Sequence, residues 1–390
     1  MRTDEERMRI QAIKRYKRGE SVANICASLH RSRRWLYKWY TRSKSREKEW
    51  YKDHSKAPCF IHKLSSATEE LVIRLRKTLV QENIFYGAQQ IQWEMESLSY
   101  PDIPSLRTIN RILDRNGLTI KRQKNHVPKG KKYPTMHANR PNQIHQLDFV
   151  GPRYGAKALR YYTMNIVDVF THRCSVSTLL VRRSQDVINA LWAIWHRLGI
   201  PEMLQVDNEM VFWGSTRYPR GLGCLIRLCL NNRCIPMFIP VREPWRNSIV
   251  EKFNEHLQNK CLRRTVIDTH KTLIDATLQF ENHFNSRYRP SALKGQTPLA
   301  VLNSTQATLR FPTVESAPKH PLVKPEDGTY NVIRFIRSDG TMHIFGEQIK
   351  VPPNLIYEYA LATIDVKEQI LKLYDANFIL VTKLPYILRP

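Results

Sequence analysis

Three carboxylates stand out by position. Asp148 sits in a strand-like run, Asp207 directly follows a short one, and Glu251 lies one turn into a helix that Asn247 can cap. Carboxylates at the centre of a first strand, at the end of a fourth and on a following helix can converge at one sheet edge. Their oxygens are hard donors, so such a cluster suits Mg²⁺ or Mn²⁺, ions that keep part of their water shell and bind phosphate oxygens. Two such ions about 3.5–4 Å apart activate an attacking oxygen and stabilise a leaving one in phosphodiester cleavage or transfer. Metal also supplies the positive charge that clustered carboxylates and an approaching polyanion both need.

The elements that must position these groups read as an α/β unit. QIHQLDFVG (143–151), LRYYTMNIVDVF (159–170) and HRCSVSTLLV (172–181) are three consecutive strand-like runs. Ser184 opens an amphipathic helix with Val187, Ile188, Leu191, Trp192, Trp195 and Leu198 inward, closed by Gly199-Ile200-Pro201. MLQVD (203–207) and CIPMFIP (234–240) are further strands, separated by an irregular insertion, and helices over about 247–262 and 270–285 follow. On the first of these helices Val250, Phe253, Leu257 and Cys261 form the inward stripe. Glu251, Glu255 and Gln258 are left on a neighbouring face.

Composition narrows the partners. The chain of 390 residues is long enough for several domains, and its 42% hydrophobic content excludes wholesale disorder. No apolar run approaches the roughly 18 residues of a membrane span. The start, MRTDEERMRI, carries no signal-peptide stretch, so a soluble, intracellular, cytoplasmic and nucleoid-associated protein with no membrane partner is expected. Seven scattered cysteines without a C-x-x-C pair exclude a disulfide framework and a zinc ribbon; Cys224, Cys229 and Cys234 are expected to be buried thiols.

The formal net charge is +27, and it is front-loaded. Residues 1–140 hold 31 Lys and Arg against 14 acids, residues 141–305 hold 21 against 12, and residues 306–390 hold 10 against 9. Clustered cations of this kind fit nucleic acid, which releases counterions when they bind. Residues 1–45 read as three helices in helix-turn-helix layout. Gly19 ends the first, Ser21 caps the second, and the third, Ser32 to Thr41, has Trp35, Leu36 and Trp39 as its apolar side. Arg31, Ser32, Arg33, Arg34, Tyr37 and Lys38 on that last element are the expected DNA-reading residues. A second unit over 65–120 is broken at Tyr86-Gly87 and has a last helix capped by Ser105, from which Arg107 and Arg111 would contact DNA. The segment 121–141 is a basic, Pro- and Gly-containing linker whose Lys121, Arg122, Lys124, Lys129, Lys131 and Lys132 can follow phosphates. Arg246 and Lys252, flanking Glu251, complete the expected DNA contacts. Residues 306–325 read as a linker, and 326–390 as short strands of a small β-barrel with a hairpin signal at Asp339-Gly340.

Taken together, NQIHQLDF (142–149), the strand ending Ile166-Val167-Asp168, VDNEMVF (206–212), RNSIVEKFNEHLQ (246–258) and FNSRYRPSALKGQTPLAVL (284–302) resemble the transposases and integrases of the retroviral-integrase superfamily, in the bacterial insertion-sequence branch. The resemblance implies a multidomain chain: N-terminal all-α helix-turn-helix units, a central α/β RNase H-like catalytic core over 142–305, and a C-terminal β-barrel. It implies that Asp148, Asp207 and Glu251 are the catalytic and metal-binding residues, holding two Mg²⁺ or Mn²⁺ ions for DNA strand cleavage and joining. It also implies element-end and target DNA as partners, and a homo-oligomer, dimer or tetramer, on paired ends. Glu209 stands where the family usually has Gly. The 43 residues between Asp207 and Glu251 exceed the usual interval, which Glu243 would satisfy. Glu243 precedes Pro244, which disfavours helix there, whereas Asn247, Glu251 and Asn254 keep the family's spacing. Asp168 is expected to cap a turn and Glu209 and Glu255 to be supporting residues. From a different class, the same features fit a DNA-binding regulator that keeps an inactive integrase-like fold.

Overall fold

The computed structural model describes residues 3–45, 48–54, 64–83, 85–119 and 131–389. The basic-linker residues Lys121, Arg122, Lys124 and Lys129 lie outside the described residues. Two compact units are present, Met1–Ser65 and Ser66–Pro390.

In the first unit, α1 (Asp4–Lys17), α2 (Val22–Leu29) and α3 (Arg33–Ser43) pack around Ala12, Ile13, Ile25, Cys26, Leu36 and Trp39. Thr3 and Glu6 cap α1 reciprocally, while Ser21 and Ser32 each accept a hydrogen bond from the third backbone N–H beyond them. Gly19, at φ +88°, supplies the left-handed turn between α1 and α2.

The second unit opens with α4 (Ser66–Gln81), α5 (Ala88–Ser97) and α6 (Leu106–Arg115), with Gly87 and Ser105 as N-caps, around Val72, Ile91, Met95 and Ile109. Their connection docks on the rest of the unit: the Phe85 ring stacks on Tyr288 at 3.6 Å and meets Phe284 edge-on.

Next come β1 (Ile144–Tyr154), β2 (Arg160–Asp168), β3 (Cys174–Leu179), α7 (Ser184–Leu198), β4 (Met203–Val206), α8 (Met210–Trp213), α9 (Cys224–Asn231), β5 (Ile235–Phe238), α10 (Ser248–Leu257), α11 (His270–Arg287) and α12 (Pro298–Asn303). The first three strands are antiparallel, β4 lies parallel to β1, and β5 lies parallel to β4. The resulting order, β3-β2-β1-β4-β5, is the integrase-like core the motifs imply. Trp192 and Trp195 are buried under it, as their helical spacing indicates. Cys26, Cys174, Cys224, Cys229, Cys234 and Cys261 are free, buried thiols.

The C-terminal strands are β6 (Thr329–Phe335), β7 (Thr341–Ile344), β8 (Glu347–Lys350), β9 (Tyr359–Asp365), β10 (Ile370–Tyr374) and β11 (Leu380–Pro385). They do not stand apart. β6 pairs parallel with β5 through Met237–Asn331 and Phe238–Val332, so β6, β9, β10 and β11 extend the core into one nine-stranded sheet. Among the described residues β7 and β8 form a separate hairpin, and no pairing closes a barrel. Residues 306–325, expected as a linker, form a strap along the core. Trp192 Nε1 donates to Val314 O (3.0 Å), and Arg310 donates to Pro201 O (2.9 Å) and Asn232 O (3.2 Å).

One buried charge fastens α11 beneath β3. Glu281, 5% exposed, accepts from Val176 N (2.8 Å), Ser175 Oγ (3.1 Å) and Arg197 Nε (3.2 Å). Removing it takes the acceptor from Val176 N and Ser175 Oγ and leaves Arg197 Nε only Ser175 Oγ, at 2.8 Å. Glu281→Ala is expected to cost about 3 kcal/mol, read as a lower urea midpoint for the second unit, with Glu281→Gln retaining part of the loss.

Candidate active site

Asp148 lies in β1 directly opposite Asn165 of β2, and Asp207 follows β4. Gln146 pairs with Gln205 in the parallel β1–β4 register. Side chains two apart share a strand face, so each aspartate is accompanied by a glutamine. Those glutamines anchor the helix that carries Glu251. Gln146 Oε1 accepts from the backbone N–H of Ile249 (3.1 Å) and Val250 (3.2 Å), the unpaired donors at the start of α10. Gln205 Nε2 donates to Asn247 Oδ1 (2.7 Å) and Arg246 O (2.9 Å), and Asn247 Nδ2 donates to Leu147 O (3.2 Å). This corrects the sequence reading of the cap: Asn247 occupies the N-cap position but makes no side-chain cap bond, and Gln146 takes that role from a neighbouring strand. One turn further on, Asn254 Nδ2 donates to Asp148 Oδ2 (2.6 Å), and Asn165 Nδ2 donates to Asn254 Oδ1 (2.7 Å). Nothing in local sequence pattern marks Gln146, Gln205 and Asn165 as partners; the only signal is a polar residue where the strand alternation calls for an apolar one.

Asp148, Glu251, Asn254, Glu255 and Gln258 line one open cleft of ≈ 440 Å³. Burial raises the Asp148 carboxyl first. The charges of Asp207, then Glu251 and Glu209, add to this against a hydrogen bond from the Phe149 backbone, and together they push it up to about 7. Burial also raises Asp207, tempered by the Glu209 N–H that it accepts at 3.1 Å and by the Arg182 charge. Glu209 is raised by burial and by Asp207, and Glu251 by burial. Among the described residues no Lys, Arg or His forms an ion pair with Asp148, Asp207 or Glu251. Arg182 pairs with Glu209 and lies over the Phe149 ring at 5.3 Å, while Arg153 and Arg263 line the cleft and donate to Gln258 and Asn259. Half-buried carboxylates without an ion-pair partner suit divalent metal. Three of them are not closed into a cage: among the described residues no three His, Cys, Asp or Glu side chains gather closely enough to hold an ion by themselves.

Glu243, the rival for the third position, is engaged elsewhere. It pairs with Arg246 (3.0 Å) and accepts from Tyr359 Oη (2.7 Å). Arg246 itself lies over Tyr133 at 3.8 Å and Tyr359 at 5.1 Å, so this expected DNA contact joins β9 to the core. Lys252 is exposed and pairs with Glu255. Lys131 pairs with Glu358 (3.1 Å) and Lys132 donates to Asn377 Oδ1, tying the end of the basic segment to the C-terminal strands. In the first unit Arg33, Arg34, Tyr37 and Lys38 are exposed along α3, Ser32 is its cap, and Arg31 pairs with Glu5 at 2.7 Å. Arg107 and Arg111 are exposed one turn apart on α6. Asp168 caps its turn, accepting from Thr171 N at 3.0 Å and Asn142 N at 3.2 Å.

The raised Asp148 carboxyl has a thermal signature. A carboxyl that binds its proton more tightly when folded makes the fold less stable as pH rises from its unfolded value near 4 towards 7. In metal-free buffer Asp148→Asn is therefore expected to melt higher than wild type at pH 8, with the gap closing near pH 4. Millimolar Mn²⁺ is expected to raise the wild-type melting temperature at pH 8 and leave that of Asp148→Asn unmoved.

Residues 3–48 match the model of a homeodomain-like domain and residues 232–298 that of an integrase core domain. No curated protein matches the chain. Among solved structures, the HTLV-2 integrase catalytic core domain in complex with magnesium is similar in its dimeric form at 22% identity and TM-score 0.34, over 43% of this chain and 99% of that one. Its trimeric form is similar at 21% identity and TM-score 0.33, over 42% and 97%. The simian T-cell lymphotropic virus intasome in complex with PP2A regulatory subunit B56 gamma is similar at 17% identity and TM-score 0.39, over 66% of this chain and 81% of that one. The motifs, the strand order and the two domain matches point the same way: residues 3–48 are similar to a homeodomain-like domain and residues 232–298 to an integrase core domain.

Proposed function

We propose that the protein is a DNA transposase of the bacterial insertion-sequence type, which binds the terminal inverted repeats of a mobile element, cleaves its 3′ ends and joins them to target DNA. The observation that carries this reading is the placement of the three acids: Asp148 in β1, Asp207 after the parallel β4, and Glu251 on α10, whose start Gln146 and Gln205 tie to those strands. Asp148, Asp207 and Glu251 are the residues that would hold Mg²⁺ or Mn²⁺, two ions to a site. Bound metal would supply Lewis acidity at the scissile phosphate and an activated oxygen nucleophile. The chain's own residues do the positioning: Asn254 orients Asp148, Gln146 and Gln205 fix the start of α10, and the exposed cations of α3 and α6 face DNA. Two element ends must be handled together, which favours a homo-oligomer on DNA.

A second reading, a DNA-binding regulator with an inactive core, is favoured by one observation: among the described residues the three acids are not preassembled into a metal-holding group. Denaturing-gel analysis of end DNA incubated with the purified full chain and Mg²⁺ separates the two. The transposase reading expects nicks at the element 3′ ends and strand-transfer products. It expects Asp148→Asn, Asp207→Asn and Glu251→Gln each to lose at least about 100-fold in rate while retaining end binding, and Glu243→Gln to keep the chemistry. Protection of the ends without metal-dependent nicking would instead establish the regulator.

A further inference from the structure

The proposed chemistry leaves one buried cation without a role. Arg334 of β6 is 6% exposed and has no carboxylate partner among the described residues. Burial pushes its guanidinium down to about 10. A buried guanidinium persists only where its N–H groups find acceptors, and here they are specific. Nε donates to His343 O (2.8 Å) and Nη1 to Ile239 O (3.0 Å) and Ile333 O (2.8 Å), while Nη2 donates to Asn208 Oδ1 (2.7 Å).

Asn208 follows Asp207. Its Nδ2 donates to the same Ile239 O at 2.6 Å, and its own carbonyl accepts from Trp213 Nε1 at 3.1 Å. The Trp213 ring stacks on Phe345, between β7 and β8, at 4.9 Å. The backbone beside Asp207 is thus held by the core through Ile239 and by the C-terminal strands through Arg334 and through Phe345 behind Trp213. Besides these, the Asp207 carboxylate accepts from the Glu209 N–H at 3.1 Å, and the preceding Val206 carbonyl accepts from Ile239 N at 3.0 Å.

We infer that Arg334 is a positioning residue for the metal-binding aspartate: by holding Asn208 it keeps Asp207 in the conformation that cleavage requires. Docking of the C-terminal strands on the core is then a condition of activity. This rests on the proposed transposase reading, and its test keeps the two separable.

Full-length Arg334→Met, Arg334→Lys, Asn208→Ala and the Asn208→Ala/Arg334→Met double variant are compared in two assays. One is the Mg²⁺-dependent nicking rate on end DNA. The other is hydrogen exchange over residues 207–213 in metal-free protein. Arg334→Met is expected to slow nicking at least tenfold with end-DNA affinity within twofold of wild type, and to lose protection at the Glu209 amide. Arg334→Lys should recover part of both, and the double variant should be no slower than the slower single one. Wild-type nicking and protection in Arg334→Met, or losses that multiply in the double variant, overturn the inference. If Arg334→Met does not fold, Asn208→Ala decides: slowed nicking and lost 207–213 protection with the β5–β6 pairing still protected supports the clamp, and unchanged nicking overturns it. A wild-type chain that never nicks sinks the transposase reading, while the exchange assay still judges the clamp.

Discussion

The structure depends on a conflict between like charges. Asp148, Asp207 and Glu251 come from a first strand, a fourth strand and a later helix, and each is raised by burial, Asp148 also by its acidic neighbours. A lysine or arginine among them would relieve the repulsion but would also neutralise the groups that metal and phosphate must meet. Neutral amides hold the acids instead, and the two arginines that line the cleft, Arg153 and Arg263, donate to Gln258 and Asn259. Gln146, Gln205, Asn247, Asn254 and Asn165 tie β1, β2 and β4 to α10 through bonds that place the carboxylates without compensating them. An amide donates and accepts at once, so it can satisfy a helix terminus, a strand carbonyl and a carboxylate with no formal charge of its own. The unrelieved repulsion is what a divalent cation would remove.

The same constraint explains why cations close to the site point elsewhere. Arg182 is drawn to Glu209, Arg246 to Glu243 and two tyrosine rings, and Arg334 to backbone carbonyls and Asn208. Each holds a loop in place at one remove from the three acids. Other exposed cations lie along helices, Arg33, Arg34 and Lys38 on α3 and Arg107 and Arg111 on α6.

Local chemistry was legible in the sequence wherever it acts over a few residues. The caps at Ser21 and Ser105, the turn at Gly19 and the buried tryptophans of α7 follow from spacing alone. Choosing Glu251 over Glu243 also rested on local rules, Pro244 against helix and a cappable start at Asn247. In the structure Glu243 is held by Arg246 and Tyr359, and the cap at the start of α10 comes from Gln146. What stayed hidden is non-local. No periodicity reveals that β6 would pair with β5 and carry the C-terminal strands into the core sheet, because two short strands separated by about ninety residues advertise only their own alternation. Nor does local pattern show that the Arg246 guanidinium lies over the rings of Tyr133 and Tyr359, each more than a hundred residues away in the chain.

Whether three remote segments line one metal site can be read directly from the protein. Loading the purified chain with Fe²⁺ in place of Mg²⁺ and adding ascorbate and peroxide generates radicals that cut the backbone beside the bound metal. The account predicts fragments ending near Asp148, near Asp207 and near Glu251, all suppressed by excess Mg²⁺. Cutting confined to the neighbourhood of Glu243, or the absence of any Mg²⁺-suppressible fragment, would contradict it.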